Sequence, residues 1–259
     1  MRENEFEGER VLVTGASRGI GFGIAEAFAK AGAALTILAE DAGVETAAEA
    51  IGKKAGRPVT GLRCDITDRA AVARTFADIR RIDVLVNNAG FEHMTPLLDG
   101  IPETETIFRR IIETNVLGTY YVTREAARRM ERGGRIIFTA SVWGKTAEGG
   151  FSAYVASKHA NVGFMRSIAC ELGPRGIAVN AVCPGWVRTE TSMRSLRDEA
   201  RTLGVTEEVQ ARTMLERQIF NGLMEPADLA AAYLFLASHE AARNITGQTL
   251  HVDRGEFMD

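Results

Sequence analysis

Val11-Leu12-Val13-Thr14-Gly15-Ala16-Ser17-Arg18-Gly19-Ile20-Gly21 is the stretch whose reading decides the fold. Three β-favouring apolar residues form a short strand. A glycine-rich turn then opens a helix over 20–31, with apolar positions Ile20, Ile24, Ala25 and Phe28 at helical spacing. Such a turn lets backbone approach a ligand closely, and the unpaired N–H groups of the helix N-terminus suit a pyrophosphate. The spacing is G-x-x-x-G-x-G rather than G-x-G-x-x-G. The dinucleotide fingerprint is therefore met only approximately, and the loop's place behind the first strand carries the reading.

The same alternation runs outward along the chain. Further strands are expected at 35–39, 59–63, 83–86, 135–139, 178–182 and 248–252, with helices over 44–55, 68–80, 104–130, 152–172 and 226–237. Strands separated by helices imply crossovers, a parallel sheet and helices on both faces. The expectation is a doubly wound (Rossmann) α/β fold of about seven strands, one domain over 1–259, with no linker, repeat or low-complexity segment. Residues 186–224, rich in Arg, Glu, Thr and Met, find no place in the sheet and are read as a segment covering the substrate.

Composition narrows the class. Of 259 residues, 46% are hydrophobic and 25% charged, with 31 Lys+Arg against 34 Asp+Glu. That balance, without a long basic run, speaks against nucleic acid as a partner. Three scattered cysteines (Cys64, Cys170, Cys183) make neither a disulfide framework nor a zinc site, and no metal is expected. The charged start, Met1-Arg2-Glu3-Asn4-Glu5, lacks the apolar core of a signal peptide, and no apolar run reaches the ~20 residues that span a bilayer. A cytoplasmic protein without membrane contact is expected. Arginine is the dominant base: lysine occurs only at 30, 53, 54, 145 and 158. A lysine in a cleft therefore raises the question of why it is not arginine.

Ala39-Glu40-Asp41 closes the second strand, where an adenosine ribose would lie. A carboxylate there accepts from a ribose 2′-OH and repels a 2′-phosphate by roughly 3 kcal/mol per unit charge at ~5 Å and an effective dielectric near 20. Glu40 thus favours NAD over NADP, although Arg18 in the glycine loop is placed to meet a phosphate. Further on, Tyr154-Val155-Ala156-Ser157-Lys158 begins a helix. Residues four apart share a helix face. A cation there lowers a phenol's pKa from ~10 by about 1–3 units, which suits general acid/base work near neutral pH.

Thr14-Gly15-x-x-x-Gly19-x-Gly21, Asn87-Asn88-Ala89-Gly90, Asn115, Ser141, Tyr154-x-x-x-Lys158 and Pro184-Gly185 follow in order, each at its expected element. The set resembles the short-chain dehydrogenase/reductase family over nearly the whole chain. The resemblance implies that Tyr154 exchanges a proton with the substrate oxygen and that Ser141 hydrogen-bonds the same oxygen. Lys158 would lower the Tyr154 pKa and hold the nicotinamide ribose, and Asn115 would anchor a water relaying protons to Lys158. For the cofactor it implies Gly15, Ser17, Arg18, Gly19, Ile20 and Gly21 at the pyrophosphate, with Glu40, Asp65, Ile66 and Asn87 at the adenosine. Ala89, Gly90, Pro184, Gly185 and Val187 would also contact the cofactor, and Thr189 its carboxamide. Phe138-Thr139-Ala140-Ser141 departs from the family's more usual Asn-Ile-Ser-Ser but keeps the serine.

Ligands of open α/β sheets lie at the C-terminal ends of the strands. Substrate contacts are therefore expected from Glu92, Trp143 and Trp186, and from the covering segment with Met193, Arg194, Arg197 and Met214. The expected activity is hydride transfer between NAD(H) and a secondary alcohol or ketone: a small polyol, sugar or hydroxy acid. An NADPH-dependent 3-oxoacyl or carbonyl reductase is the alternative, and a non-catalytic nucleotide-binding protein a lesser one. A homo-oligomer, tetramer or dimer, is implied by the resemblance.

Overall fold

A computed structural model describes residues 4–98 and 100–258. Met1 to Glu3, part of the charged start read for localisation, lie outside the described residues. Each short apolar run becomes a strand of one parallel sheet: β1 (Arg10–Thr14), β2 (Ala34–Ala39), β3 (Thr60–Arg63), β4 (Val84–Asn87), β5 (Arg135–Thr139), β6 (Ala178–Pro184) and β7 (Thr249–Val252). Their order is β3-β2-β1-β4-β5-β6-β7, every adjacent pair parallel.

Strand residues alternate between two cores. Val11, Val13, Val86 and Ile137 join Ile24, Phe28 and Leu234 on one face, while Leu12, Leu85, Ile136 and Phe138 join Phe76, Val122 and Met165 on the other. The helices that cover them are α1 (Gly19–Lys30), α2 (Gly43–Ala55), α3 (Arg69–Ala77), α4 (Glu103–Ile112), α5 (Thr119–Ala127), α6 (Ser152–Leu172), α7 (Glu190–Leu203), α8 (Glu207–Leu215) and α9 (Ala230–Ala237). This is the expected doubly wound α/β architecture. The chain leaves β1 toward β2 and β3, then returns to β4 on the other side of β1. That reversal leaves a crevice above the ends of β1 and β4, where Gly15 and Asn88 meet.

Two segments depart from their periodic reading. The helix expected over 104–130 is broken by a π-helical stretch, Glu113–Gly118. Gly118 fits there because a Cβ on it would come 2.7 Å from Ile66 Cγ1. Within 186–224 lie two helices, each opened by threonine: Thr189 Oγ1 accepts from Ser192 N and Thr206 Oγ1 from Val209 N. No helix of the described residues is long and apolar enough to cross a membrane.

Candidate active site

The glycine loop is held in shape from two sides. Thr14 Oγ1 accepts from the N–H groups of Asn88 and Ala89, both at 3.0 Å, and Asn88 Nδ2 donates to the carbonyls of Thr14 and Gly15 at 3.1 Å. Gly15 adopts φ +64° and presses on Ala89, whose Cα would lie 2.6 Å from an added Cβ. Gly19 (φ +59°) passes under Thr189, whose Cγ2 would sit 3.6 Å from a Cβ there. A smooth backbone cradle follows, leading to the N-terminus of α1, which no side chain caps.

Beyond β2, the carboxylate tied to this loop is Asp41. Its Oδ2 accepts from Ser17 Oγ at 2.8 Å and lies 3.2 Å from Arg18 Nη1, and its Oδ1 accepts from Gly43 N at 2.9 Å. Burial opposes these contacts, yet they hold the carboxyl below its usual range. Glu40, the residue singled out from sequence, is exposed and faces Arg110 at 3.8 Å. Asp41 is thus an acid that the sequence reading passed over in favour of its neighbour. Arg18 is correspondingly engaged by Asp41 rather than free for a phosphate.

Around the crevice, Asp65 follows β3 and accepts from Thr67 N and Oγ1, while Ile66 packs on Gly118. Asn87, 5% exposed at the end of β4, donates from Nδ2 to Thr123 Oγ1 at 2.8 Å, and its Oδ1 has no protein partner. Pro184 ends β6, Gly185 abuts Asp253, and Val187 bridges to Met224. The unpartnered Asn87 oxygen and the side-chain-free cradle are what a dinucleotide's ribose hydroxyls and phosphates require. The residues present fit that cofactor.

The four catalytic candidates converge from three places in the fold: the residues after β5, the π-helical stretch and α6. Ser141, at the end of β5, accepts from Trp143 N at 3.1 Å and hydrogen-bonds the Tyr154 hydroxyl. Lys158, one turn beyond Tyr154 on α6 and 4% exposed, donates to the Thr139 carbonyl at 2.8 Å. Its ammonium stands over the Tyr154 ring, 5.3 Å from the centroid. Burial, and after it the charge of Glu92, hold the phenol above its usual range, with the Ser141 bond opposing. Burial also brings Lys158 down to about 8, against the pull of Glu92. Fully buried Asn115 accepts from Phe91 N at 2.7 Å and donates to Phe91 O at 3.0 Å and Ser157 Oγ at 2.9 Å. Both N–H bonds of its amide are therefore taken by protein. A Cβ on Gly90 would lie 3.4 Å from Asn115 Oδ1 and 3.7 Å from Lys158 Nζ, so the three are close neighbours.

A cleft of about 730 Å³, counting its open mouth, lies over Ser141 and Tyr154. Glu92, Trp143 and Trp186 all line it, as expected, and Trp143 stands edge-on to Tyr154 at 5.9 Å between centroids. Ser192, Ser195 and Glu199 of α7 and Met214 of α8 close the opposite wall. Glu92 ties the two walls: Ser195 Oγ donates to its Oε1 at 2.5 Å, and Arg194 Nη2 to its carbonyl at 2.6 Å. Glu199 and Glu256 also line the cleft. Nothing in the local sequence pattern distinguishes those two from solvated acids.

A family model described as "Enoyl-(Acyl carrier protein) reductase" matches residues 15–256. The chain belongs to the short-chain dehydrogenase/reductase family. Among curated relatives of this oxidoreductase, the 3-oxoacyl-[acyl-carrier-protein] reductase FabG of Escherichia coli is 39% identical over 98% of this chain and 99% of its own. Two solved dehydrogenase structures superpose closely. One is an NAD+-bound xylitol dehydrogenase (TM-score 0.87, 27% identity, 95% of this chain and 98% of that one). The other, from Agrobacterium tumefaciens, is a putative 2-deoxy-D-gluconate 3-dehydrogenase with bound NADP (TM-score 0.85, 28% identity, 99% of each).

Proposed function

We propose that this oxidoreductase uses NAD(H) to interconvert a small polar secondary alcohol and its ketone. The observation that carries the reading is the cleft itself. The Tyr154 and Ser141 hydroxyls lie on its floor, and its charged lining consists of Glu92, Glu199 and Glu256. Ser141 orients the substrate oxygen, and Tyr154 takes its proton or returns it. Lys158 supports the negative charge that forms on the phenol oxygen, and Asn115 fixes the Gly90–Phe91 backbone beside it.

The nicotinamide group, when bound, supplies the hydride acceptor or donor. Gly15, Ser17, the Arg18 backbone, Gly19, Ile20 and Gly21 would hold its pyrophosphate, and Asp65, Ile66, Asn87 and Ala89 its adenosine half. Gly90, Tyr154, Lys158, Pro184, Gly185, Val187 and Thr189 would hold its nicotinamide half. Glu40 and Asp41 support NAD over NADP, because a 2′-phosphate near them meets two carboxylates and an arginine already paired with one of them. We read 186–224 as a cover over the substrate, and the exposed apolar side chains Phe108, Leu117 and Tyr120 as a face for a second copy of the chain.

The second reading is an NADPH-dependent 3-oxoacyl reductase, and the similar proteins favour it over the polyol reading, since FabG is named for that reaction. Initial rates decide between them: glycerol and xylitol with NAD+ and NADP+, against acetoacetyl thioester with NADH and NADPH. Turnover of a polyol with NAD+ at least tenfold faster than with NADP+ supports the proposal. Rapid NADPH-dependent thioester reduction without polyol turnover replaces it by the second reading.

A further inference from the structure

We infer that the substrate end of the cleft takes an alcohol bearing a positively charged nitrogen, a hydroxylated amine of the amino-polyol or amino-sugar type. The inference rests on the alcohol–ketone reading above and names its substrate class. Three side chains of the cleft lining carry charge, and all three are carboxylates: Glu92, Glu199 and Glu256. Their short hydrogen bonds come from neutral groups, Ser195 Oγ on Glu92 and Gln210 Nε2 on Glu199 at 2.7 Å. Of the nearby cations, Arg217 is paired with Glu148 at 2.6 Å, and the Arg194 guanidinium donates to the Glu92 carbonyl rather than its carboxylate. Lys158 is held by Thr139. Burial raises all three carboxyls above their usual range, against the pull of Arg194, Lys158 and His93 on Glu92 and of Arg217 on Glu199 and Glu256, none of which offsets it.

A second, independent feature points the same way. Trp143 and Trp186 line the cleft beside these acids, and aromatic faces together with carboxylates are the usual means of recognising an ammonium. Trp186 is 9% exposed, and its indole Nε1–H has no protein acceptor. An ammonium for the carboxylates and an alcohol for Ser141 and Tyr154 describe one molecule. An α-hydroxy acid of the same size would set its carboxylate against three others.

The test is a matched set on the native enzyme with NAD+: 3-amino-1,2-propanediol, glycerol and glycerate, which share a skeleton and differ in charge. The expected order of kcat/KM is amine, then glycerol, then glycerate, with the amine at least tenfold above glycerol. In Glu199→Gln or Glu256→Gln that ratio falls at least fivefold. Glycerol equal to the amine, or glycerate above both, overturns the inference and leaves the alcohol–ketone reading standing. If none of the three turns over and the acetoacetyl thioester does, that reading itself has failed. Tetramethylammonium then decides the charge question without turnover. Saturable quenching of tryptophan fluorescence that weakens in both variants supports a cation site, and its absence overturns one.

Discussion

Replacing Asn115 by alanine tests whether this side chain acts by clamping the backbone next to the catalytic pair. The residue is fully buried, and its amide makes three hydrogen bonds, two to the Phe91 peptide groups and one to Ser157. Ser157 keeps a second bond to the Tyr154 carbonyl at 2.8 Å, so its hydroxyl is not stranded by the change. Phe91 loses the partners of both its N–H and its C=O. At about 1–3 kcal/mol for each stranded group, and with a small cavity added, the loss comes to roughly 3–5 kcal/mol. For a domain of this size that is a fall in Tm of about 6–20 °C. Urea unfolding followed by circular dichroism measures it. Asn180→Ala is the matched control. That buried amide clamps Ile245 O and Gln248 N at the other side of the sheet, at 3.0 and 3.1 Å. Both variants are expected to lose comparable stability, but only Asn115→Ala lowers kcat of the folded enzyme, because Gly90 and Glu92 flank the released peptide. A loss under about 1 kcal/mol, or equal kcat in the two variants, refutes the reasoning.

Two further outcomes follow from the same geometry. Glu92→Gln removes a negative charge that raises both Tyr154 and Lys158, so the ascending limb of kcat/KM for alcohol oxidation moves to lower pH, by about 0.5–1 unit. A pH–rate profile that stays put or moves upward contradicts this placement of Glu92. Gly21→Ala sets a Cβ inside contact distance of the Gly15 carbonyl and the Asn88 amide, so backbone must shift. The expected result is at least tenfold weaker NADH binding by fluorescence titration and a stability loss of about 1–3 kcal/mol, and unchanged NADH affinity would argue against the cradle.

The sheet was legible because parallel strands covered on both faces read as unbroken apolar runs, as Val84-Leu85-Val86 and Ile136-Ile137-Phe138 do. The glycine cradle was legible because tight backbone approach admits few residues other than glycine. The π-helical stretch at Glu113–Gly118 was not: over six residues its period is indistinguishable from that of an α-helix. What it accomplishes depends on Phe91 and Ser157, which arrive from distant elements. Asp41 was hidden for a different reason. Two adjacent carboxylates after β2 are equivalent on paper, and only the turn through Gly43 sends one of them to Ser17. The acids of the cleft were the least legible. Glu199 lies on a helix whose pattern reads as a solvated face, and Glu256 lies in the chain's last loop, so only the fold brings them to Glu92.

Lysine at 158 in an arginine-rich chain has its answer in what surrounds the ammonium. The group is enclosed between the Thr139 carbonyl and the Tyr154 ring, space for a compact cation with one directed N–H but not for a planar fork of five donors. Burial also brings its pKa to about 8, within reach of a proton exchange that a guanidinium never makes. Glu92 then gains a second meaning. Its charge adds to burial in holding the Tyr154 phenol up and works against burial at Lys158, while Ser195 and Arg194 of α7 hold it in place. The helix that closes the cleft is thereby wired to the acid/base pair on its floor. A substrate cation that neutralises Glu92 would ease the Tyr154 proton off, making recognition and activation one electrostatic event.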